Sequence, residues 1–402
     1  MKQKLIRFTA ITASVILMAA PLSACGKKAP ESISYETWWT SDATNDSSQT
    51  SASESQGDTT PSETTEYIIP TPSDVVENPL TGLVEMDINN VGKRGAAVSV
   101  NNARAANPSR GTSDASVIFE YETEGGQTRM LCVYEDISKI PLIGSIRSGR
   151  VGSADMAAGT GAIFFSWGAD PTAVPAHVRN NNISWVDLNR NIFEYGKGHD
   201  AGDVSGNCFC WYDREWKSQR AQEHCGVSRG DFLVKAVEYN NIDINGEMPR
   251  LFHFVESGTA KMTDSVNCSE VSVYFSSTND DALFVYNPEE CVYYKSQYEG
   301  QPQMDINNDT QIHFTNVFVL YCPINLRPGD TSSEHHVDIH MEEGGTGYYI
   351  SYGKAEAITW TKPTPNDLIK CYDKNGNEIE VNAGKSYICV VDDDEISKLT
   401  MN

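Results

Sequence analysis

Residues 115–134 read ASVIFEYETEGGQTRMLCVY, and this stretch decides the class of fold. Two runs rich in β-branched and aromatic residues, 115–122 and 130–134, are separated by a polar segment that contains two glycines. Apolar runs of this length between turn residues are typical of β-strands. The stretch therefore predicts two neighbouring strands and indicates that a sheet forms part of the core.

The pattern around this stretch mixes strands with helices. The strand signals lie at 96–100 and 162–167, and the helix signals lie at 147–159, 171–180 and 230–239. Ser148 is of a residue type that often caps the start of a helix. We therefore expect residues 78–265 to form an N-terminal domain of mixed α/β structure.

From about residue 261 onward the helix signals stop and strand signals recur. These strand signals lie at 271–275, 282–286, 292–295, 311–321, 336–340, 348–352, 357–361 and 386–391. Turns such as Asn375-Gly376 are typical of antiparallel hairpins. The sequence thus predicts an α+β protein in which a mainly antiparallel β-rich domain, 266–402, follows the α/β domain.

The N-terminus, 1–24, predicts a lipoprotein signal peptide. A basic start and an apolar run precede Leu22-Ser23-Ala24-Cys25, which resembles the bacterial lipobox. In that motif Cys25 is acylated, by palmitate among other chains, and buried acyl CH₂ groups contribute about 0.8 kcal/mol each. The expected location is the outer face of the cytoplasmic membrane, with the membrane as partner through Cys25. The alternative is an ordinary secretory signal with a coincidental cysteine.

Residues 25–77 predict a disordered tether between this anchor and the folded part. The stretch 40–65 contains 14 Ser or Thr among 26 residues and no aliphatic residue larger than alanine. Such a composition offers too little apolar surface to offset the entropy of ordering the chain.

Composition excludes several classes of protein. The 402 residues carry 31 Lys and Arg against 55 Asp and Glu, a formal net charge of −24. A chain this acidic repels a phosphate backbone unless it holds a strong local basic patch, so no nucleic-acid partner is expected. No motif typical of a nucleotide-binding loop, a hydrolase nucleophile or a zinc protease occurs, so the sequence leaves open whether the protein is an enzyme, and no cofactor is expected.

The cysteines leave two interpretations open. Ten are present, and without Cys25 nine remain, so at least one thiol is unpaired within the chain. Cys208, Cys210, His224 and Cys225 could be read as a zinc site, but Cys-x-Cys lacks the usual two-residue spacing. The alternatives are small buried side chains or one disulfide.

Several short motifs together resemble the YerB-like lipoprotein family, whose domain is catalogued as DUF3048. The motifs are NPLTGL at 78–83, EGGQTR at 124–129, IGSIRSGR at 143–150, FFSWG at 164–168, GTGY at 345–348 and TWTK at 359–362, together with Tyr294, Asp305 and Asn316-Val317. The resemblance covers about residues 78–393 and implies a two-domain extracytoplasmic lipoprotein without an established activity. Ser145 stands where the family usually has proline, Lys295 replaces a usual arginine, and the cysteine cluster is not part of the pattern.

A set of arginines and hydroxyl residues is the best candidate for a binding site. Glycines between them allow close backbone approach, and a helix starting near Gly149 would add its positive end, so the set is suited to a phosphate or carboxylate. The alternative is that the arginines pair internally with Glu120, Glu122 or Glu124. The anion-binding candidates are Thr128, Arg129, Ser145, Arg147, Ser148 and Arg150.

Weaker candidates for a metal site alternate along one predicted strand. His336, Asp338 and His340 would share a face, with His313 as a further ligand, but alternating polar residues are also typical of a solvent-facing strand. We therefore assign no metal site. The expected function is a binding or interaction module for an anionic envelope component or an acidic partner protein. The alternative is an envelope enzyme that uses the arginine cluster for phosphoryl or acyl transfer or hydrolysis.

Overall fold

Both faces of the central sheet are buried, as the nearly continuous apolar runs of its strands require. Every residue of Ala96–Asn101 and of Thr128–Tyr134 is buried. Successive side chains of a strand point to opposite faces. Ala96 and Val98 accordingly pack in one hydrophobic core and Ala97 in a second.

The computed structural model describes residues 74–190, 192–193, 209–279, 281–331 and 334–402. The predicted signal peptide, Cys25, Cys208 and all but the last four residues of the predicted tether lie outside the described residues. The described part belongs to one compact unit.

Strands and α-helices alternate only in the first part of the described chain. The elements there are β1 (Val75–Glu77), β2 (Val84–Asp87), β3 (Ala96–Asn101), β4 (Val117–Glu122), β5 (Thr128–Tyr134), β6 (Ile143–Gly144), α1 (Val151–Gly159), β7 (Ile163–Ser166), α2 (Val174–Asn180), β8 (Trp185–Asp187), β9 (Ile192–Phe193), β10 (Cys210–Tyr212), α3 (Arg214–Lys217), β11 (Gly226–Ser228) and α4 (Gly230–Tyr239).

The remainder of the chain forms strands joined by turns and short 3₁₀ segments. The strands are β12 (Phe254–Val255), β13 (Val266–Asn267), β14 (Glu270–Val273), β15 (Ala282–Asn287), β16 (Val292–Gln297), β17 (Gln301–Pro302), β18 (Met304–Asp305), β19 (Thr310–Gln311), β20 (His313–Phe314), β21 (Asn316–Cys322), β22 (Ile324–Leu326), β23 (Val337–Ile339), β24 (Gly345–Ser351), β25 (Lys354–Thr361), β26 (Lys370–Tyr372), β27 (Val381–Asn382), β28 (Ser386–Asp392) and β29 (Thr400–Met401).

One eleven-stranded sheet unites the two halves of the sequence. Its order is β13-β25-β24-β21-β28-β4-β5-β3-β7-β8, and β26 pairs with β25. β28 lies parallel to both of its neighbours, β21 and β4. The predicted boundary between residues 265 and 266 therefore separates two stretches of sequence that share one sheet.

A smaller sheet and the helices cover the two faces of the large sheet. The smaller sheet has the order β17-β16-β15-β14-β29, and Val271, Phe284 and Tyr293 from it join the same core as Leu233 of α4. On the opposite face, Ala154 and Met156 of α1 join the second core. A side chain at Gly152 would lie 3.0 Å from Ile339, so this glycine lets α1 approach β23 closely.

The predicted fold needs three corrections. The protein is mostly β, because among the described residues the α-helices are four short segments, so the mixed α/β character expected for 78–265 is only weakly present. The C-terminal strands are mainly antiparallel, as expected, but β28 pairs in parallel on both sides. The tether predicted to end at residue 77 is too long, because Val75–Glu77 already pair with β2.

The helix and strand positions themselves agree closely with the sequence patterns. The helix expected at 230–239 is α4 with the same bounds. The helices expected at 147–159 and 171–180 begin later, at Val151 and Val174. The strand expected at 311–321 is divided among β19, β20 and β21.

Glu122, at the end of β4, predicts how stability changes with pH. Burial, followed by the charges of Asp392 and Glu395, raises the pKa of Glu122 from 4.5 to about 7. Between pH 4.5 and pH 7 the folded state therefore keeps a proton on Glu122 that the unfolded state has lost. The free energy of unfolding falls as pH rises through this range. We expect Glu122→Gln to stabilise the protein at pH 8 by about 1–2 kcal/mol.

Thermal unfolding between pH 5 and pH 8 measures this effect. The unmodified protein is expected to lose melting temperature over that range, and Glu122→Gln is expected to lose less. Glu289→Gln, on an exposed turn, is the matched control. Identical pH profiles for the unmodified protein and Glu122→Gln would contradict the assignment.

Candidate functional site

The segment between β6 and α1 holds Arg147 at the rim of a cavity. The backbone N–H of Arg147 donates to Ser99 O at 2.9 Å, and Arg147 O accepts from Trp167 N at 3.0 Å. These bonds fix the segment between β3 and the end of β7. The cavity has a volume of about 420 Å³, and Ser148, Trp167 and Tyr212 line it beside Arg147.

The Arg147 guanidinium is half-buried and makes no hydrogen bond or ion pair with any residue in the described part of the chain. A charged group rarely stays unpaired where protein surrounds it, because burial weakens its hydration. Arg147 therefore offers a positive charge that no described residue pairs with, on a protein whose formal net charge is −24.

An aromatic pair forms one wall of the Arg147 cavity. The ring centroids of Trp167 and Tyr212 lie 4.9 Å apart with an interplanar angle of 38°. A side chain at Gly226 would lie 2.6 Å from Cε3 of Trp167, so the absence of one lets the indole lie against the backbone of β11. This packing fixes the orientation of the wall.

Arg129 and Arg150 both pair with Glu124. The Arg129 Nη2–Glu124 Oε1 distance is 2.6 Å, and Arg150 Nε donates to Glu124 Oε2 at 2.8 Å. Burial raises the pKa of Glu124, but the two arginines outweigh it and lower the pKa to about 2. Burial, followed by the charge of Arg150, lowers the pKa of Arg129 to about 10. The side chains of Arg129 and Arg150 are nearly inaccessible to solvent, and they hold the turn at Glu124 in place.

The three hydroxyl candidates lie in different surroundings. Thr128 is buried and donates to Glu120 Oε1 at 2.7 Å, away from the cavity. Ser145 is fully buried, and its Oγ has no hydrogen-bond partner among the described residues. Ser148 lines the cavity and its Oγ donates to Trp167 O at 3.2 Å. Of the six candidates, the structure brings only Arg147 and Ser148 together in an accessible cavity.

A buried ion pair connects the large sheet with the small one. Lys295 Nζ lies 3.4 Å from Glu120 Oε2, and both side chains are fully buried. Lys295 Nζ also donates to Gln297 Oε1 at 2.7 Å and to Gln303 Oε1 at 2.5 Å. Tyr387 OH donates to Glu120 Oε2 at 2.6 Å. Burial lowers the pKa of Lys295, although the charge of Glu120 opposes this shift.

The metal candidates do not converge on a common point. His336 Nδ1 lies 3.0 Å from Asp330, Asp338 accepts from Arg327, and His340 Nδ1 lies 3.1 Å from Glu342. Only Val337–Ile339 of the predicted 336–340 strand is β-structure. Among the described residues, no group of three or more His, Cys, Asp or Glu side chains is arranged to hold a metal ion.

Seven cysteines in the described part of the chain carry free thiols: Cys132, Cys225, Cys268, Cys291, Cys322, Cys371 and Cys389. Cys210 and Cys225 are buried, and the thiol of Cys225 donates to Ala221 O at 3.2 Å. Cys225 therefore behaves as a small buried side chain. The zinc hypothesis also involved Cys208, which lies outside the described residues.

A second cleft lies where α1 and α2 face β23 and the end of β25, and two of the metal candidates, Asp338 and His340, line it. Its volume is about 480 Å³, and it is lined by Asp155, His177 and Lys362, among others. His177 Nε2 lies 2.5 Å from Asp155 Oδ1, and this hydrogen bond raises the pKa of His177. Burial lowers the pKa of Lys362 to about 8. The 22-residue separation of Asp155 and His177 gives no local pattern that could have revealed the pair.

Fold and motifs together define the class of protein. The sequence matches two family profiles, "Protein of unknown function (DUF3048) N-terminal domain" at residues 80–224 and the corresponding C-terminal domain at residues 271–388. The chain therefore belongs to the DUF3048 family, and the two matched segments meet in the eleven-stranded sheet.

This chain is similar in sequence and in structure to a protein of Bacillus subtilis. The "Putative lipoprotein YerB" of Bacillus subtilis (strain 168) is 25% identical over 336 residues, which cover 81% of this chain and 89% of YerB. The crystal structure of YerB from Bacillus subtilis has a TM-score of 0.66 at 20% identity and covers 81% of this chain and 99% of the crystallised one. This similarity establishes the shared fold.

None of the helices among the described residues is both long and apolar enough to cross a membrane.

Proposed function

We propose that the protein is a membrane-anchored extracytoplasmic lipoprotein that acts as a binding module for an anionic group. The group belongs to an envelope component or to an acidic partner protein and lies in the Arg147 cavity. The observation that carries this proposal is the half-buried Arg147 guanidinium, which has no partner in the described chain although Arg129 and Arg150 nearby are both paired.

The chemistry of the cavity favours phosphate or carboxylate as the bound group. A guanidinium presents planar N–H donors that match two oxygen atoms of either group. Ser148 adds a hydroxyl at the rim. The net charge of −24 makes non-specific anion binding elsewhere on the surface unfavourable, so binding is expected to concentrate at this cavity.

Arg147→Gln is expected to abolish phosphate binding and leave stability almost unchanged. The guanidinium has no internal partner, and a side chain of this kind contributes about 0–1 kcal/mol to the fold. Isothermal titration calorimetry with inorganic phosphate at low ionic strength measures binding, and thermal unfolding measures stability. Arg179→Gln is the matched control, because Arg179 is exposed on α2 and does not line the cavity.

Two results would contradict the binding proposal. The first is an unmodified protein that binds neither phosphate nor acetate at millimolar concentration. The second is an Arg147→Gln variant that keeps the affinity of the unmodified protein. A large loss of melting temperature in Arg147→Gln would assign this arginine to the fold instead.

An envelope enzyme is the second candidate, and one observation favours it. Glu223 lines the same cavity as Arg147, so a carboxylate stands near the position of the bound anion. In that case Glu223 would act as a general base while Arg147 stabilises charge on a transferring phosphoryl or acyl group. Turnover of 4-nitrophenyl esters or phosphates that is lost in Glu223→Gln would favour the enzyme over the binding module.

The anchor is part of the same proposal and rests on the lipobox-like sequence that ends at Cys25. The relative described as a lipoprotein supports it. We expect Cys25→Ala to shift the protein from the membrane pellet to the soluble fraction or to leave its precursor unprocessed, because the acyl chains provide the membrane affinity. Fractionation followed by mass measurement tests this. Membrane retention of a processed Cys25→Ala protein would contradict the anchor.

A further inference from the structure

We propose that the ligand of the Arg147 cavity is an anionic saccharide, a sugar ring that carries a phosphate or a carboxylate group. This inference rests on the proposed function and deepens it. It draws on the aromatic wall and the neutral polar side chains of the cavity, which a site for a bare anion does not need.

The aromatic wall suits the C–H face of a sugar. The face of an aromatic ring carries partial negative charge, and the polarised C–H bonds of a pyranose carry partial positive charge. The ring centroids of Trp167 and Tyr212 lie 4.9 Å apart with a 38° tilt, and both residues line the cavity. They leave no parallel slot between them for a planar base, which favours a sugar over a nucleobase.

The polar side chains around this wall match hydroxyl groups. Asn189 and Gln222 provide amide donors and acceptors, and Glu223 provides a carboxylate acceptor. A sugar hydroxyl donates one hydrogen bond and accepts others, so it is satisfied by such mixed groups. Arg147 then holds the anionic substituent.

The size of the cavity agrees with a small ligand or the end of a polymer. A volume of about 420 Å³ falls in the range of about 300–1,000 Å³ that is typical of small-molecule sites. A flat basic surface for an acidic protein partner would lack the aromatic wall.

Calorimetry with four probes tests the inference: α-D-glucose 1-phosphate, D-glucuronate, D-glucose and inorganic phosphate. We expect glucose 1-phosphate or glucuronate to bind at least tenfold more tightly than inorganic phosphate, and glucose to bind weakly. Which of the two anionic sugars binds more tightly distinguishes a phosphate-bearing from a carboxylate-bearing ligand. Arg147→Gln is expected to remove binding of both.

Tyr212→Leu separates the sugar from the anion. This variant is expected to lose at least tenfold in affinity for the anionic sugar and to keep its affinity for inorganic phosphate within twofold. Tyr239→Leu, at an exposed tyrosine of α4, is the matched control. If Tyr212→Leu does not fold, saturation-transfer NMR on the unmodified protein replaces it, with strong transfer from aromatic protons to the sugar C–H protons expected.

The outcomes separate this inference from the proposed function. Equal affinities for inorganic phosphate and both anionic sugars, or an absence of saturation transfer to the sugar, would overturn the saccharide and leave the anion site standing. Binding of none of the four probes would overturn both. Tighter binding of uncharged glucose than of the anionic sugars would also overturn both, because Arg147 would then have no role.

Discussion

Replacing Lys295 by methionine is expected to destabilise the folded protein by about 3–5 kcal/mol. The change removes the ammonium group that lies 3.4 Å from Glu120 and leaves that carboxylate in a fully buried position without its opposite charge. Asn102, Thr128 and Tyr387 still donate to Glu120, but these neutral groups do not balance the charge. The amide oxygen of Gln303 also loses its donor.

Urea unfolding at pH 7 measures the loss, and a double variant identifies its cause. Glu120→Gln with Lys295→Met removes both charges together, and the new amide can still accept from Thr128 and donate to Tyr387. The double variant is expected to be more stable than Lys295→Met alone, because the cost comes from the uncompensated charge. A double variant that is less stable than Lys295→Met would contradict this explanation.

The second large effect is expected at the turn that Glu124 occupies between β4 and β5. Glu124→Gln removes the carboxylate that separates Arg129 from Arg150 and leaves two nearly inaccessible guanidinium groups facing each other. We expect the free energy of unfolding to fall by about 3 kcal/mol. This value lies at the lower limit for a buried pair because the Glu124 side chain keeps some contact with solvent.

The pH dependence of stability identifies this contribution. The folded-state pKa of Glu124, about 2, lies below its unfolded value of 4.5. The stabilisation is therefore complete above pH 4.5 and is lost as pH falls toward 2. Urea unfolding between pH 3 and pH 6 is expected to show a steeper loss for the unmodified protein than for Glu124→Gln. Parallel profiles would contradict the assignment.

Glu77→Gln is the matched control for Glu124→Gln. Glu77 pairs with Arg250 at 2.6 Å, but both side chains are exposed by more than two fifths. An ion pair in such a position contributes about 0–1 kcal/mol. A loss in Glu77→Gln as large as that in Glu124→Gln would show that burial does not decide the effect.

The positions of individual strands and helices could be predicted from the sequence, because the spacing of apolar residues within each segment indicates which of the two it forms. The match of α4 to 230–239 shows this, since the period and both ends lie within one segment. The position of β28 could not be predicted, because parallel pairing with β21 and β4 depends on residues distant in sequence. The mostly β character of 78–265 was missed because helix signals alone do not show how short the helices remain.

The sequence could predict that the candidate residues lie close together, but it could not predict which of them pair with one another. The motif 143–150 and the turn before Arg129 correctly suggested that basic residues lie near acidic ones. The sequence could not show that Glu124 pairs with Arg129 and Arg150 while Arg147 stays free, because that choice depends on which side of the segment each side chain occupies. The aromatic wall has no local signal, since 45 residues separate Trp167 from Tyr212.

The central position of β28 has a consequence for the order in which the protein is made. Until residues 386–392 emerge from the ribosome, the hydrogen-bonding edges of β4 and β21 have no partner from this strand. More than nine tenths of the chain is then already synthesised, and the sheet cannot close. Completion of the sheet therefore belongs to the last step of biosynthesis.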